Sequence, residues 1–182
     1  SLAVTATALL LAGRDGLAAL SVVGCVLAKE SLILVPLGVA LWTRRRRAAL
    51  AVLAGAGAGL AWWIALRALV PASSPQIVDF TWPTRGLAQS FESWFRGEEL
   101  WGLTVPASIA AGAVFLAKKG VAHPLGIAAG LQICLMLALS PDALALSFNG
   151  TRASAPLLLL AALGLAPGRK APRRTLRPGS AG

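Results

Sequence analysis

Long apolar runs separated by short charged punctuation dominate the chain. Ala48 to Val70, Leu103 to Ala117 and Val121 to Ser140 meet or approach the roughly 20 residues that carry a helix across a ~30 Å hydrocarbon layer. Each is bounded by charge, proline or both. Further apolar stretches run from Leu2 to Ala12, Leu17 to Trp42 and Ala153 to Ala166. Such runs exceed what a water-soluble core helix needs. They predict an all-α fold, a polytopic transmembrane helical bundle of about six or seven membrane helices or half-helices. One segment has a different pattern: between Thr84 and Phe95, Leu87, Phe91, Trp94 and Phe95 fall at helical spacing on one face, with Pro83 placed to open a helix. It predicts an amphipathic helix along the outer membrane surface, with Arg85, Gln89 and Glu92 turned to water or a headgroup. A loop packed on the bundle is the alternative.

The cations orient these runs. Arg44 to Arg47, Lys118 with Lys119, and Arg169 to Arg177 recur at every second boundary, as expected for loops retained in the cytoplasm. With those inside, residues 71–101 form an extracytoplasmic loop holding Asp79, Glu92, Glu98 and Glu99, and Asp142 falls in the next outer loop. The bundle is expected over 1–166 and a disordered basic cytoplasmic tail over 167–182. The expected location is the cell inner (plasma) membrane, crossed several times, with the carboxy terminus inside. Leu17 to Trp42 is interrupted midway by Lys29, Glu30 and Ser31 and admits two topologies. A single long helix would carry an ion pair at its middle, which is costly in hydrocarbon. Two short helices forming a hairpin would put Lys29 and Glu30 at an outer tip, with Arg14 and the Arg44 cluster both inside; the charge pattern favours this second arrangement.

Composition agrees with the pattern: of 182 residues, 57% are hydrophobic and 13% charged, so water is not the main solvent. The net charge of +10 does not indicate nucleic acid, because the cations sit in clusters between apolar runs rather than along one amphipathic face. Cys25 and Cys134 lie inside apolar segments and make no disulfide framework or zinc spacing, and His123 lacks a second metal ligand nearby. Trp42 and Trp101 fall at expected interfaces, while Trp62 and Trp63 lie deeper. The glycine pairs Gly55 with Gly59 and Gly126 with Gly130 are spaced to let a neighbouring helix approach. Pro36 and Pro106 can kink or start helices. The chain opens at Ser1 directly into an apolar stretch and reads as a piece of a longer protein.

No phosphate-binding glycine loop, dinucleotide motif, nucleophile elbow or zinc-protease helix is present. The polar groups expected on the outer half are Lys29, Glu30, Arg67, Asp79, Arg85 and Arg152. Ionisable groups at membrane depth are functional candidates, and cations there can hold a phosphate through charge-assisted hydrogen bonds. The structural alternative pairs Lys29 with Glu30 and uses Arg152 as an interfacial anchor.

Ala28-Lys29-Glu30-Ser31 followed by Leu32 to Trp42, with Pro36 inside it, and then by four arginines, resembles a segment of GT-C class integral membrane glycosyltransferases. The likeness extends to the mannosyltransferase-like and aminoarabinose-transferase-like bacterial branches, although alanine stands here where those usually have threonine. Ser147 to Pro156, followed by leucines, resembles the last outer loop and final helix of actinobacterial members. The resemblance implies transfer of a sugar from a polyprenyl-phosphate donor on the extracytoplasmic face. A lipid phosphate must sit at the outer interface, the depth expected for Lys29 and Arg152, so these two are the candidate donor-phosphate ligands, with Glu30 and Arg85 as candidate support. The family's catalytic acid, and any divalent metal it binds, would come from residues outside this chain; Asp79 and Glu92 are not substitutes. A transporter or structural membrane subunit is the rival class, in which Lys29 and Glu30 would form a gating or helix-locking pair.

Overall fold

The computed structural model describes residues 2–28, 30–69, 82, 84–96, 100–140, 144 and 147–166. Eight α-helices, and no strand, occur among them: α1 (Leu2–Leu11), α2 (Asp15–Ala28), α3 (Leu34–Thr43), α4 (Arg46–Leu69), α5 (Arg85–Phe95), α6 (Thr104–Lys119), α7 (Gly126–Ala138) and α8 (Ser147–Leu165). Two 3-10 turns, Glu30–Ile33 and Leu100–Leu103, lead into α3 and α6. The all-α expectation is met. Among the described residues one stretch, Arg46–Leu66 in α4, is long and apolar enough to cross a membrane, its 21 residues giving roughly 30 Å of helix. Most of that stretch faces outward, since 22% of it is buried in the protein.

The breaks between helices follow local chemistry. Gly13, at φ 75°, reverses the chain after α1, and the Arg14 N–H then reaches back to the Leu9 carbonyl at 2.8 Å. Gly120, at φ 69°, ends α6, where its N–H bonds the Leu116 carbonyl at 2.8 Å. Both are positive-φ positions that glycine adopts at little cost. Arg44 ends α3 in the left-handed helical region, at φ 52°, although it carries a side chain.

Packing aligns the helices so that their turns collect at two ends. Arg45 donates from Nη2 to the Leu10 carbonyl and lies 3.4 Å from Asp15 Oδ1, joining the α1–α2 turn to the α3–α4 turn. Trp42 Nε1 donates to the Ala122 carbonyl at 2.7 Å, adding the α6–α7 turn, and Gly164 near the close of α8 lies against Phe115 of α6. This end carries Arg14, Arg44 to Arg47, Lys118 and Lys119 and is termed the basic end. At the far end are the Glu30–Ile33 turn, α5, and the beginnings of α6 and α8. The single-long-helix reading of Leu17 to Trp42 is overturned: the helix stops at Ala28, and the start of α2 and the close of α3 meet at the basic end through Asp15 and Arg45.

Close backbone contact holds the amino-terminal helices together. A Cβ at Gly55 would lie 2.5 Å from the Ala19 carbonyl, and one at Gly59 would lie 2.7 Å from Val26 Cβ, so that expected glycine pair does seat α4 on α2. The second pair behaves differently. Gly126 packs on its own preceding turn and Gly130 faces open space, while α7 meets α3 where Gly38 abuts the Ala128 backbone. Trp62 and Trp63 are exposed on the outer side of α4.

Candidate functional site

The hairpin tip is formed where α2 ends and the chain tightens into a 3-10 turn before α3. Lys29 itself lies outside the described residues, as do the side chains of Glu30 and Arg67 and all of Asp79. Arg152 is on the α8 backbone, in the second turn of that helix, but its side chain is outside the described set. Arg85 is exposed at the first position of α5.

The segments bearing Lys29 and Arg152 converge on one cavity. Leu32, three residues after Lys29, and Ala155 and Pro156, one helical turn after Arg152, line a space of about 210 Å³. Ala3 and Thr7 of α1, Val35 of α3 and Leu160 of α8 form its deeper walls. Val4, Leu159 and Leu163 also line it and are exposed, so the cavity opens sideways between α1 and α8. Its lining is apolar apart from Thr7, whose Oγ1 is buried without a hydrogen-bond partner among the described residues. A cavity of ~150 Å³ lined by aliphatic and aromatic groups holds a benzene ring; this one has room for about eight chain carbons on the same scale.

Against α7 and the Leu100–Leu103 turn, α5 departs from the expected arrangement. Gly86, Ser90 and Trp94, at i, i+4 and i+8, form the face turned into the bundle: Gly86 abuts the Leu139 carbonyl, and Trp94 is fully buried over Gly102. The Thr84 N–H bonds the Leu137 carbonyl at 2.7 Å and fixes the start of the helix against α7. Phe91 and Phe95 stack on one another at 5.6 Å on the outer side, with Phe95 73% and Trp82 77% exposed. The four residues expected on one face are therefore divided, because the small Gly86 and Ser90 permit a close approach that the aromatic positions would prevent. This small-residue stripe was visible in the sequence, but the more conspicuous aromatic spacing masked it.

At the opposite end, His123 sits in the α6–α7 turn. Its ring meets Phe115 edge-on at 5.2 Å, and its Nδ1 accepts from the Leu125 N–H at 3.2 Å. Partial burial and then the Lys119 charge push its pKa below the ordinary 6.5. An imidazole whose Nδ1 accepts a hydrogen bond is neutral at that nitrogen, in agreement with this direction. Among the described residues no group of three or more His, Cys, Asp or Glu is placed to hold a metal. Neither a protein-family model, nor a curated protein, nor a solved structure matches the chain.

Proposed function

We propose that the chain is a multi-pass bundle of the cell inner membrane and part of a glycosyltransferase that takes a sugar from a polyprenyl-phosphate donor on the extracytoplasmic face. The observation that carries this reading is the apolar cavity on which the Lys29 and Arg152 segments converge. A lipid-linked phosphate needs an apolar seat for its chain and cations where the chain meets water. With the basic end retained in the cytoplasm by the positive-inside rule, the far end faces outward, and α8 delivers the tail from Pro167 back to the cytoplasm. Lys29 and Arg152 hold the donor phosphate and stabilise it as a leaving group through preorganised positive charge. Glu30 and Arg85 support that layer.

Two experiments test the reading. Lys29→Ala and Arg152→Ala in the full-length protein should each lower transfer from a polyprenyl-phosphate sugar on the order of a hundredfold, the scale for losing one donor to a developing anion. Unchanged transfer in both removes the phosphate site. Topology reporters fused after Ala28 and after Leu165 should report opposite sides of the membrane, and the same side for both is incompatible with the proposal.

A further inference from the structure

We infer that the basic end is a docking surface for the headgroups of anionic phospholipids. The inference rests on the membrane reading above and extends it to a lipid class that the transfer chemistry does not require. Three turns distant in sequence supply the surface: Arg14 from α1–α2, Arg44 to Arg47 from α3–α4, and Lys118 with Lys119 from the last turn of α6. All of these side chains are exposed. Asp15 is the one described carboxylate at this end, and it already lies beside Arg45. Arg45 is further committed to the Leu10 carbonyl, so the remaining cations face outward with no described anion to balance them.

Arg46 and Arg47 aggravate that imbalance. They occupy the first turn of α4, where the helix dipole is already positive and no acidic residue offsets it. Held there by the α3–α4 turn, they repel one another unless an external anion neutralises them. The adjoining surface identifies the anion. Directly along α4 come Leu50 and Leu53, 53% and 61% exposed, one to two helical turns from the guanidinium groups. An anion bound here therefore stands at the edge of an apolar wall, as a phosphodiester does when its acyl chains lie on Leu50 and Leu53. Nucleic acid or an acidic protein would match the charge but would leave the leucines facing water. The half-buried Trp42, its indole N–H tied to the Ala122 carbonyl, occupies the same level, the position an interfacial tryptophan favours.

Reconstituting the whole protein into vesicles of equal phosphatidylglycerol and phosphatidylcholine, then identifying retained lipids by native mass spectrometry after detergent extraction, tests the surface. Phosphatidylglycerol should be retained at least about fivefold over phosphatidylcholine, the scale of a single cation near an anionic surface, and this preference should fall as salt is raised. The variant R44Q/R46Q/R47Q/K118Q/K119Q should abolish the preference, and R46E/R47E, which leaves the other turns intact, should lower it severalfold. Equal retention of the two lipids by the unmodified protein, with the chain still resistant to carbonate extraction, overturns the surface while leaving the membrane reading standing. Binding of a duplex oligonucleotide without lipid preference also overturns it. Release by carbonate removes the membrane reading and the surface together.

Discussion

Between α1 and α4 the core is built from Ala6, Leu10, Ala18, Val22, Val39, Ala40, Ala48 and Val52, whereas around α6 to α8 it is built on Trp94, Phe115, Met136, Leu144 and Leu157. The first group lets backbones approach, with Gly55 and Gly59 receiving Val22 and Val26 of α2. The second is filled by large side chains seated on glycines, Leu157 on Gly112 and Phe115 on Gly164, with Phe115 and Met136 fully buried. Small-residue contacts gain dispersion and weak backbone interactions over a long seam, and suit helices in an apolar solvent that offers no hydrophobic drive between them. Large-residue contacts gain by interdigitation and tolerate a looser backbone. The two regions should therefore fail under opposite kinds of substitution.

The largest expected effect is steric. Gly38→Leu drives a side chain into the Ala128 backbone and should cost about 3 kcal/mol or more, at the upper end of overpacking. Thermal unfolding in detergent reads the loss. Gly130→Leu, in open space on the same partner helix, should stay within about 0.5 kcal/mol; equal losses for the two would end the close-contact account. In the other region the sign of the volume change reverses. Phe115→Ala leaves a void on the order of 100 Å³, whose ~24 cal/mol per Å³ adds to the lost burial of the ring, and should cost about 3–5 kcal/mol. A fall of less than about 0.5 kcal/mol would show that Gly164 and Leu157 collapse into the space.

Arg45 adds a polar link between the α1–α2 and α3–α4 turns, whose flanking residues Leu10, Ala18, Ala40 and Ala48 already share a core. Arg45→Gln should cost about 1–2 kcal/mol through the lost charged hydrogen bond to the Leu10 carbonyl, while Asp15→Asn should cost under ~1 kcal/mol because its 3.4 Å contact is partly exposed. Equal effects would assign the link to the ion pair instead. The smallest effect is the titration of His123. Its folded pKa lies below the unfolded 6.5, so the neutral ring's contribution is complete above 6.5 and lost as pH falls through the folded value. The melting temperature of the unmodified protein should therefore drop slightly relative to His123→Asn below pH 6.5, where the asparagine keeps a neutral acceptor. Parallel curves would remove the histidine from the balance.

Much of this architecture is written in local chemistry. The interruption at Lys29 to Ser31, the turns at Gly13 and Gly120, and the boundaries of α4 and α6 follow from the sequence because helix ends depend on charge, glycine and proline within a few residues. The gathering of Arg14, the Arg44 cluster and the two lysines at one end was also foreseeable, since antiparallel neighbours return alternate turns to the same level. The candidate site was legible only as types of residue. That Leu32 and Ala155 would line one cavity depends on how α1, α3 and α8 sit together, and no spacing along the chain encodes that.

The sequence by itself determined an all-helical chain with cations set apart from apolar runs, because both properties reside in single residues and their near neighbours. Only the tertiary structure decided which faces meet: Gly38 rather than Gly130 receives a neighbour, α5 turns Gly86, Ser90 and Trp94 inward and leaves Phe91 and Phe95 outside, and Arg45 joins two turns. Those choices depend on backbone distance between elements far apart in sequence. In a chain rich in interchangeable small residues, only the assembled shape sets that distance.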